Sequence, residues 1–381
     1  MPSLLTPATA GRRRLKAAVL AVVVLAGACA GGDGADEAAG PTPTTGVAAG
    51  CPVDVDACTL ATAADAAGVL VGTAVAPERL DDPAYAALVA DEFTSLTPEN
   101  AMKWPVVHPE PEVWDLGSAD RLVDFAQDNG LGVRGHTLVW GQDLGNGVPD
   151  WLAAIDDPTE LQAAIDDHIT TVVGRYAGRV DRWDVVNEPL EVAGTQLDAN
   201  HFLDVLGPGY IAAAFETAHR ADPDARLFLN ENAVEFVPAK AEALVALVEG
   251  LVADGVPIHG VGLQGHQFSG RPPAPGVLEA LITRFTDLGL EVAITELDLP
   301  LLDDGDLGAQ AEGYRQIVRE CLDAGCTEIT VWGVYDGATW LDDFLGREDT
   351  SPLLFDEGFS PKPAHAAVVE ELIASGSPAG G

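Results

Sequence analysis

Short apolar runs alternate with longer amphipathic stretches through most of the chain. Eight runs have the length and β-branched content of buried strands, at residues 69–75, 93–97, 133–140, 180–187, 226–230, 258–264, 292–295 and 329–333. The stretches between them predict helices, among them 118–129, 158–176, 209–221, 238–254, 275–288 and 307–324. Such an alternation is expected of a parallel sheet with helical crossovers.

Eight strand-helix units in roughly 300 residues match the size of a (β/α)8 TIM barrel, an α/β fold. A doubly wound open sheet is the alternative, but no glycine-rich phosphate-binding turn follows the first run, and polar residues follow many strands rather than clustering at one crevice. We therefore predict a single barrel over residues 61–375, followed by a disordered tail at 376–381.

Composition narrows the range of partners. The chain has 381 residues, 47% of them hydrophobic, which is ample for a large core. Its 60 Asp and Glu against 20 Lys and Arg give a formal net charge of −40. Because such a surface repels nucleic acid and anionic lipid, we expect neither as a partner, and a neutral polymer is a better substrate than a polyanion. We expect a monomer.

The first 28 residues resemble an export signal. Three arginines at 12–14 and Lys16 precede an apolar stretch at 17–28, which is too short to span a bilayer. Two alternatives follow: a secreted, extracellular protein, or a lipoprotein anchored to the cell surface through Cys29, which follows small residues. Residues 29–60 predict a flexible tether that ends in a short disulfide-closed segment.

The cysteines suit an oxidising compartment. Apart from Cys29, they form two pairs that are local in sequence, Cys51 with Cys58 and Cys321 with Cys326, and we predict a disulfide in each. A metal site is the competing interpretation. It is disfavoured because no histidine or further cysteine pair lies nearby at ligand spacing, so we expect no metal.

Two glutamates follow apolar runs at positions where α/β barrels carry their chemistry. Glu188 ends the run Trp183-Asp184-Val185-Val186-Asn187-Glu188, and Glu296 ends Val292-Ala293-Ile294-Thr295-Glu296. Glycoside hydrolysis needs such a pair, one carboxylic acid to protonate the leaving oxygen and one carboxylate to attack or stabilise the sugar cation.

Other polar and aromatic residues follow the predicted strands and would share the same rim. They are Glu99, Asn100, Lys103, His136, Trp140, Asn187, Gln264, His266, Trp332 and Trp340, with Asp298 close behind Glu296. Carboxylates and amides pair with sugar hydroxyls, and indole rings stack on the C–H faces of pyranoses. The set as a whole therefore favours a carbohydrate site, although each residue alone would be unremarkable in a barrel core.

Several blocks resemble glycoside hydrolase family 10 endo-β-1,4-xylanases over residues 67–369. The segment 289–299, GLEVAITELDL, fits the active-site signature of that family at every constrained position. Further blocks occur in family order at 97–104, 133–140, 183–188, 331–336, 352–356 and 361–363.

The resemblance implies a retaining, double-displacement hydrolase of internal β-1,4 linkages in xylan, with Glu296 as nucleophile and Glu188 as acid/base. It implies that the ten rim residues named above bind the glycone side and that Asp298 orients His266. No cofactor is expected.

Two departures from the family pattern affect sugar recognition and leave the two carboxylates in place. The link after Trp140 is longer and lacks a histidine over residues 141–148, and Asn232 stands where the family has a tyrosine. The alternatives are therefore a retaining β-glycanase or β-glycosidase acting on another glucan or mannan, and a non-hydrolytic carbohydrate-binding lipoprotein.

Overall fold

The fold is a closed parallel barrel, seen in a computed structural model that describes residues 58–141, 147–302 and 305–376. In these ranges eight strands pair in chain order, and β1 pairs with β8 to close the sheet. The strands are β1 Leu70–Val75, β2 Ser95–Pro98, β3 Gly132–Trp140, β4 Arg182–Asn187, β5 Arg226–Glu231, β6 Gly260–Leu263, β7 Glu291–Leu297 and β8 Glu328–Val331. The predicted (β/α)8 barrel is confirmed.

The helices surround this barrel. They are α1 Leu60–Ala67, α2 Pro83–Glu92, α3 Trp104–Val107, α4 Gly117–Asn129, α5 Asp150–Ala153, α6 Pro158–Arg175, α7 His201–Leu206, α8 Tyr210–Ala221, α9 Pro238–Ala253, α10 Val277–Thr286, α11 Leu307–Asp323, α12 Leu341–Leu345 and α13 Pro363–Gly376. The six predicted helices are all present, with ends displaced by one or two residues.

Helix α6 illustrates how the sequence sets these boundaries. The Asp157 side chain accepts hydrogen bonds from the backbone N–H groups of Thr159 and Glu160, at 2.9 and 3.0 Å, and Pro158 occupies the first helical position. Leu161, Ile165 and other apolar residues at helical spacing are buried against the barrel.

The two ends of the described chain are joined through one carboxylate. Glu92, at the end of α2, accepts a 3.0 Å hydrogen bond from the backbone N–H of Leu60 and lies 3.0 Å from the Nε2 atom of His365. Helices α1 and α13 also pack against each other. The predicted disulfide Cys321–Cys326 is present and links the end of α11 to the residues before β8.

A buried ionic network ties together three strands inside the barrel. The guanidinium of Arg134 on β3 bonds to Asp184 on β4 at 2.7 Å and to Glu328 on β8 at 2.6 Å, and all three side chains are about 1% exposed. Burial raises the pKa of Glu328, but the charge of Arg134 outweighs it, so the net pKa is lowered.

Some predictions fall on residues outside the described ranges. These are the export signal, Cys29, the tether to residue 57 with Cys51, most of the unusual 141–148 link, and the tail beyond Gly376. Among the helices that are described, none has the length and apolarity needed to cross a lipid bilayer.

Candidate active site

Glu188 directly follows β4 and adopts a left-handed backbone conformation, with φ of 52°. Its N–H donates to the carbonyl of Asn230 at 2.8 Å, so the rim of β5 fixes the point where the chain leaves β4. Two residues later, the N–H of Leu190 donates to Glu231 at 3.0 Å. The backbone on both sides of Glu188 is thus held by the neighbouring strand.

Among the described residues, two N–H donors contact the carboxyl group of Glu188. The indole Nε1 of Trp140 donates to one oxygen at 2.8 Å, and the amide of Gln264 donates to the other at 2.7 Å. These donors come from β3 and from the residue after β6. Trp140, predicted only as a sugar platform, therefore also orients Glu188.

Glu296 lies on β7 and is only 4% exposed. One carboxyl oxygen accepts from the amide of Asn230 at 2.7 Å, and the other lies 3.2 Å from the Nε2 atom of His266. Burial acts to raise the pKa of Glu296, but the hydrogen bond from His266, the charge of His136 and the bond from Asn230 outweigh it, so the pKa is lowered. The environment therefore favours the ionised form that a nucleophile requires.

His266 contacts carboxylates through both ring nitrogens. Its Nδ1 atom lies 2.8 Å from Asp298, and Nε2 faces Glu296. Burial acts to lower the pKa of His266, yet these two carboxylates raise it to about 10. The ring is thus an imidazolium that donates to both partners. Asp298 is itself held by the indole Nε1 of Trp340 at 2.9 Å.

A chain of amides connects the two glutamates. The side-chain oxygen Oδ1 of Asn187 accepts hydrogen bonds from the side-chain amides of Asn230 at 2.9 Å and Gln264 at 3.4 Å. The Asn230 amide also donates to Glu296, and the Gln264 amide also donates to Glu188. Within the residues that the structure describes, both side-chain bonds of Asn187 use its oxygen, so its NH2 group is available to a ligand hydroxyl.

A third cluster lies after β2. Lys103 donates to Asn100 at 2.8 Å, Asn100 donates to Glu99 at 3.1 Å, and the Lys103 ammonium lies 5.1 Å from the ring centre of Trp140. Burial raises the pKa of Glu99 despite the opposing charge of Lys103. The cluster thus offers charged and amide groups beside the Trp140 ring.

His136 and Trp332 complete the predicted set. The Nδ1 atom of His136 lies 2.9 Å from Asp184, whose other oxygen is held by Arg134. The imidazole meets Trp332 edge to face at 5.2 Å between ring centres, and Trp332 also lies near His266. The buried ionic network of the barrel therefore orients an imidazole at its rim.

The structure brings all the predicted rim residues into one connected site. It also gives contacts to Asn230 and Glu231, which end the predicted fifth strand and lie on the rim by the same rule as the others. Asp184 and Lys240 are additions that the sequence analysis did not select, since they gave no such signal.

The geometry can support acid/base chemistry at two carboxylates in different surroundings. Glu296 is buried beside a cation, whereas the contacts of Glu188 within the described part of the chain include two neutral N–H donors. A pair of this kind can divide the nucleophilic and proton-transfer roles.

The chain is similar in sequence to known proteins. Residues 59–371 match the model of glycosyl hydrolase family 10. A β-1,4-xylanase of Dictyoglomus thermophilum is 43% identical over 309 residues, which is 75% of this chain and 84% of that protein. Endo-1,4-β-xylanase 3 of Hypocrea jecorina is 39% identical over 300 residues, 78% of this chain and 81% of that one.

Solved structures that are similar to this chain are also xylanases. Native xylanase 10B from Thermotoga maritima superposes with a TM-score of 0.77 at 34% identity, covering 84% of this chain and 99% of that one. Xylanase 10B from Thermotoga petrophila, in complex with xylobiose, gives 0.78 at 34% identity, covering 84% and 98%. The chain therefore belongs to glycosyl hydrolase family 10.

Proposed function

We propose that this glycoside hydrolase is a retaining endo-β-1,4-xylanase in which Glu296 is the nucleophile and Glu188 the acid/base. The observation that carries the assignment is the buried Glu296 carboxylate, which faces the His266 imidazolium and the amide of Asn230. These partners stabilise the ionised form of Glu296 without a metal ion.

In the first step, a Glu296 oxygen attacks the anomeric carbon while the bond to the leaving oxygen breaks. Glu188 gives its proton to that oxygen. One of the N–H contacts to Glu188, from Trp140 or Gln264, gives way when the corresponding oxygen carries the proton. The free NH2 group of Asn187 is available to the hydroxyl beside the reacting carbon, where contacts strengthen in the transition state.

In the second step, the Glu188 carboxylate takes a proton from water. The water oxygen bonds to the anomeric carbon as the ester bond to Glu296 breaks, which restores both carboxyl groups and the original anomeric configuration. Retention requires the two carboxyl groups to lie about 5 Å apart, whereas about 9 Å would produce inversion.

Xylan is proposed as the substrate because the relatives at 39–43% identity are named as xylanases. The unusual link at 141–148 and Asn232 keep a second candidate open, a β-glycanase or β-glycosidase acting on glucan or mannan. Reducing-sugar assays on xylan, carboxymethyl cellulose and mannan separate these candidates, and absence of turnover on all three would leave only carbohydrate binding.

The nucleophile is tested by Glu296→Ala in the presence of azide. Hydrolysis should disappear, and azide should restore turnover as a glycosyl azide of inverted configuration, because a small anion can enter the vacated space. The control is Glu242→Ala, a surface carboxylate paired with Arg284, which should keep wild-type activity. Substantial hydrolysis by Glu296→Ala without azide would contradict the assignment.

We also propose that the protein is exported, from the basic and apolar segments at its N-terminus. Mass spectrometry of the mature protein distinguishes cleavage into a soluble enzyme from diacylglycerol attached to Cys29. An unprocessed N-terminus in the producing cell would contradict export.

A further inference from the structure

A cleft opens between the segments that follow β1 and β8. It has a volume of about 420 Å³, which lies within the range of small-molecule sites. One wall comes from the 3₁₀ turn Pro77–Asp81 after β1, and the other from Tyr335, which follows β8.

Aromatic rings form one side of this cleft. Tyr335 meets Phe359 edge to face at 4.7 Å between ring centres, and Tyr85 packs against both at 6.0 and 6.5 Å. Tyr335 and Phe359 are only partly buried. Their accessible surfaces can therefore receive an apolar face of a ligand.

Arg79 is the cation of the cleft. Its guanidinium donates to the Tyr335 hydroxyl at 3.1 Å and lies 5.8 Å from the centre of that ring. Among the described residues, no carboxylate lies within salt-bridge distance of it, although the chain carries a net charge of −40. Its remaining N–H donors are therefore available to a ligand oxygen.

The cleft is next to the residues that follow β2. Val75 at the end of β1 pairs with Pro98 at the end of β2, so the segments that carry Arg79 and Glu99 leave the barrel side by side. The N–H of Glu99 bonds to the carbonyl of Val75, two residues before the turn that carries Arg79. A polymer that reaches Glu99 can thus extend towards Arg79 and Tyr335.

The charges of the cleft favour a neutral ligand. Glu78, Asp81 and Asp82 also line it, and Asp81 is paired with Arg121 at 2.7 Å. A carboxylate on the ligand would meet repulsion from these three groups. Hydroxyls can instead accept from Arg79 and donate to the carboxylates, while the C–H face of a sugar lies on the aromatic rings.

From this combination we infer that the cleft of Arg79, Tyr335 and Phe359 is an accessory subsite for one uncharged sugar unit of the polymer, beyond those that contact Glu99. The identity of the polymer rests on the proposed xylanase function. The cleft adds affinity for long chains and leaves short substrates unaffected.

The test measures binding to the inactive Glu296→Gln protein by calorimetry, with xylobiose and xylohexaose. Arg79→Met combined with Tyr335→Ala should weaken xylohexaose binding about five- to tenfold, the effect expected of one lost stacking contact with its hydrogen bonds. Xylobiose binding should change less than about twofold. Tyr335→Phe, which keeps the ring, should give a smaller loss, and Arg284→Met on the outer surface is the matched control for a lost arginine.

The outcomes separate the proposed subsite from the proposed xylanase function. Equal xylohexaose affinity in the cleft variant and the control would overturn the subsite while leaving the xylanase assignment intact. A uronic acid-substituted oligosaccharide that binds more tightly than the linear one, and that loses this advantage in Arg79→Met, would contradict the proposal that the ligand is uncharged. If no xylo-oligosaccharide binds, the proposal that xylan is the substrate is wrong. The same comparison of variants with cello- and manno-oligosaccharides then shows whether the cleft binds a sugar unit.

Discussion

Replacing Lys240 with methionine tests how β5 supports Glu188, the proposed acid/base. Lys240 and Glu231 are both fully buried, their charged groups are 2.8 Å apart, and the ammonium also donates to Asn232 at 2.8 Å. The other oxygen of Glu231 accepts from the N–H of Leu190, close to Glu188. Lys240→Met therefore leaves a buried carboxylate without its cation while keeping most of the side-chain volume.

The expected loss of stability is about 3–5 kcal/mol, the range for removing one partner of a buried pair. In a domain of this size such a loss lowers Tm by about 4–8 °C. The control Arg284→Met breaks an exposed pair with Glu242 and should cost about 0–1 kcal/mol.

The loss of stability in Lys240→Met should also depend on pH. Burial raises the pKa of Glu231 to about 7 even with Lys240 present to oppose it. A raised carboxyl pKa gives stability that is complete below the unfolded value of 4.5 and disappears as the pH rises through the folded value. Without Lys240 the pKa of Glu231 rises further, so the deficit of the variant is smallest near pH 5 and largest above pH 7.

Urea unfolding at pH 5 and pH 8, followed by tryptophan fluorescence, measures both quantities. The double variant Glu231→Gln/Lys240→Met should recover part of the loss, because no buried charge remains. A deficit below about 1 kcal/mol, or one that is equal at the two pH values, would refute the reasoning. A lower kcat with unchanged KM in the single variant would indicate that Glu188 has moved.

Three further predictions concern other parts of the barrel. Gly262→Ala should lower kcat about tenfold with the fold retained by circular dichroism, because its methyl group would collide with Asn230 and lie 2.8 Å from Thr295. Asp298→Asn should shift the alkaline limb of the kcat profile to lower pH, since Asp298 helps to raise the pKa of His266 to about 10 and the imidazolium is lost once the pH exceeds that pKa. Reduction of Cys321–Cys326 should lower stability by about 2 kcal/mol without unfolding the protein, and mass spectrometry of the unreduced chain should show Cys51 linked to Cys58.

The barrel could be predicted because the sequence patterns that indicate its strands and helices are local. Each parallel strand is buried on both faces, so it appears as a continuous apolar run, and the residue that ends the run is placed at the rim by the fold itself. Glu188 and Glu296 were identified by this rule. Their placement at the same end of the barrel also followed, since the carboxyl ends of all eight parallel strands lie there.

Contacts between distant residues could not be predicted in the same way. Lys240 lies in Pro238–Ala253, where a lysine normally points to solvent, yet it is fully buried and reaches Asn232 and Glu231. Trp140 has the appearance of a sugar platform, and only the closed barrel shows its indole N–H on Glu188. Such contacts depend on which strands become neighbours and on how a loop turns, and neither is encoded in a short window of sequence.

The backbone at Glu188 shows how these distant contacts act together. A non-glycine residue with φ of 52° costs about 1–3 kcal/mol, and Pro189 restricts the same residue further. The conformation persists because three hydrogen bonds fix it: from the N–H of Glu188 to Asn230, from the N–H of Leu190 to Glu231, and from the N–H of Asp198 to Pro189. Two of the acceptors belong to β5, and Asn230 also holds Glu296 through its side chain. A single strand end therefore fixes the relative positions of both carboxylates, so substitutions at Asn230 or Glu231 should alter the pH profile of catalysis even though neither residue transfers a proton.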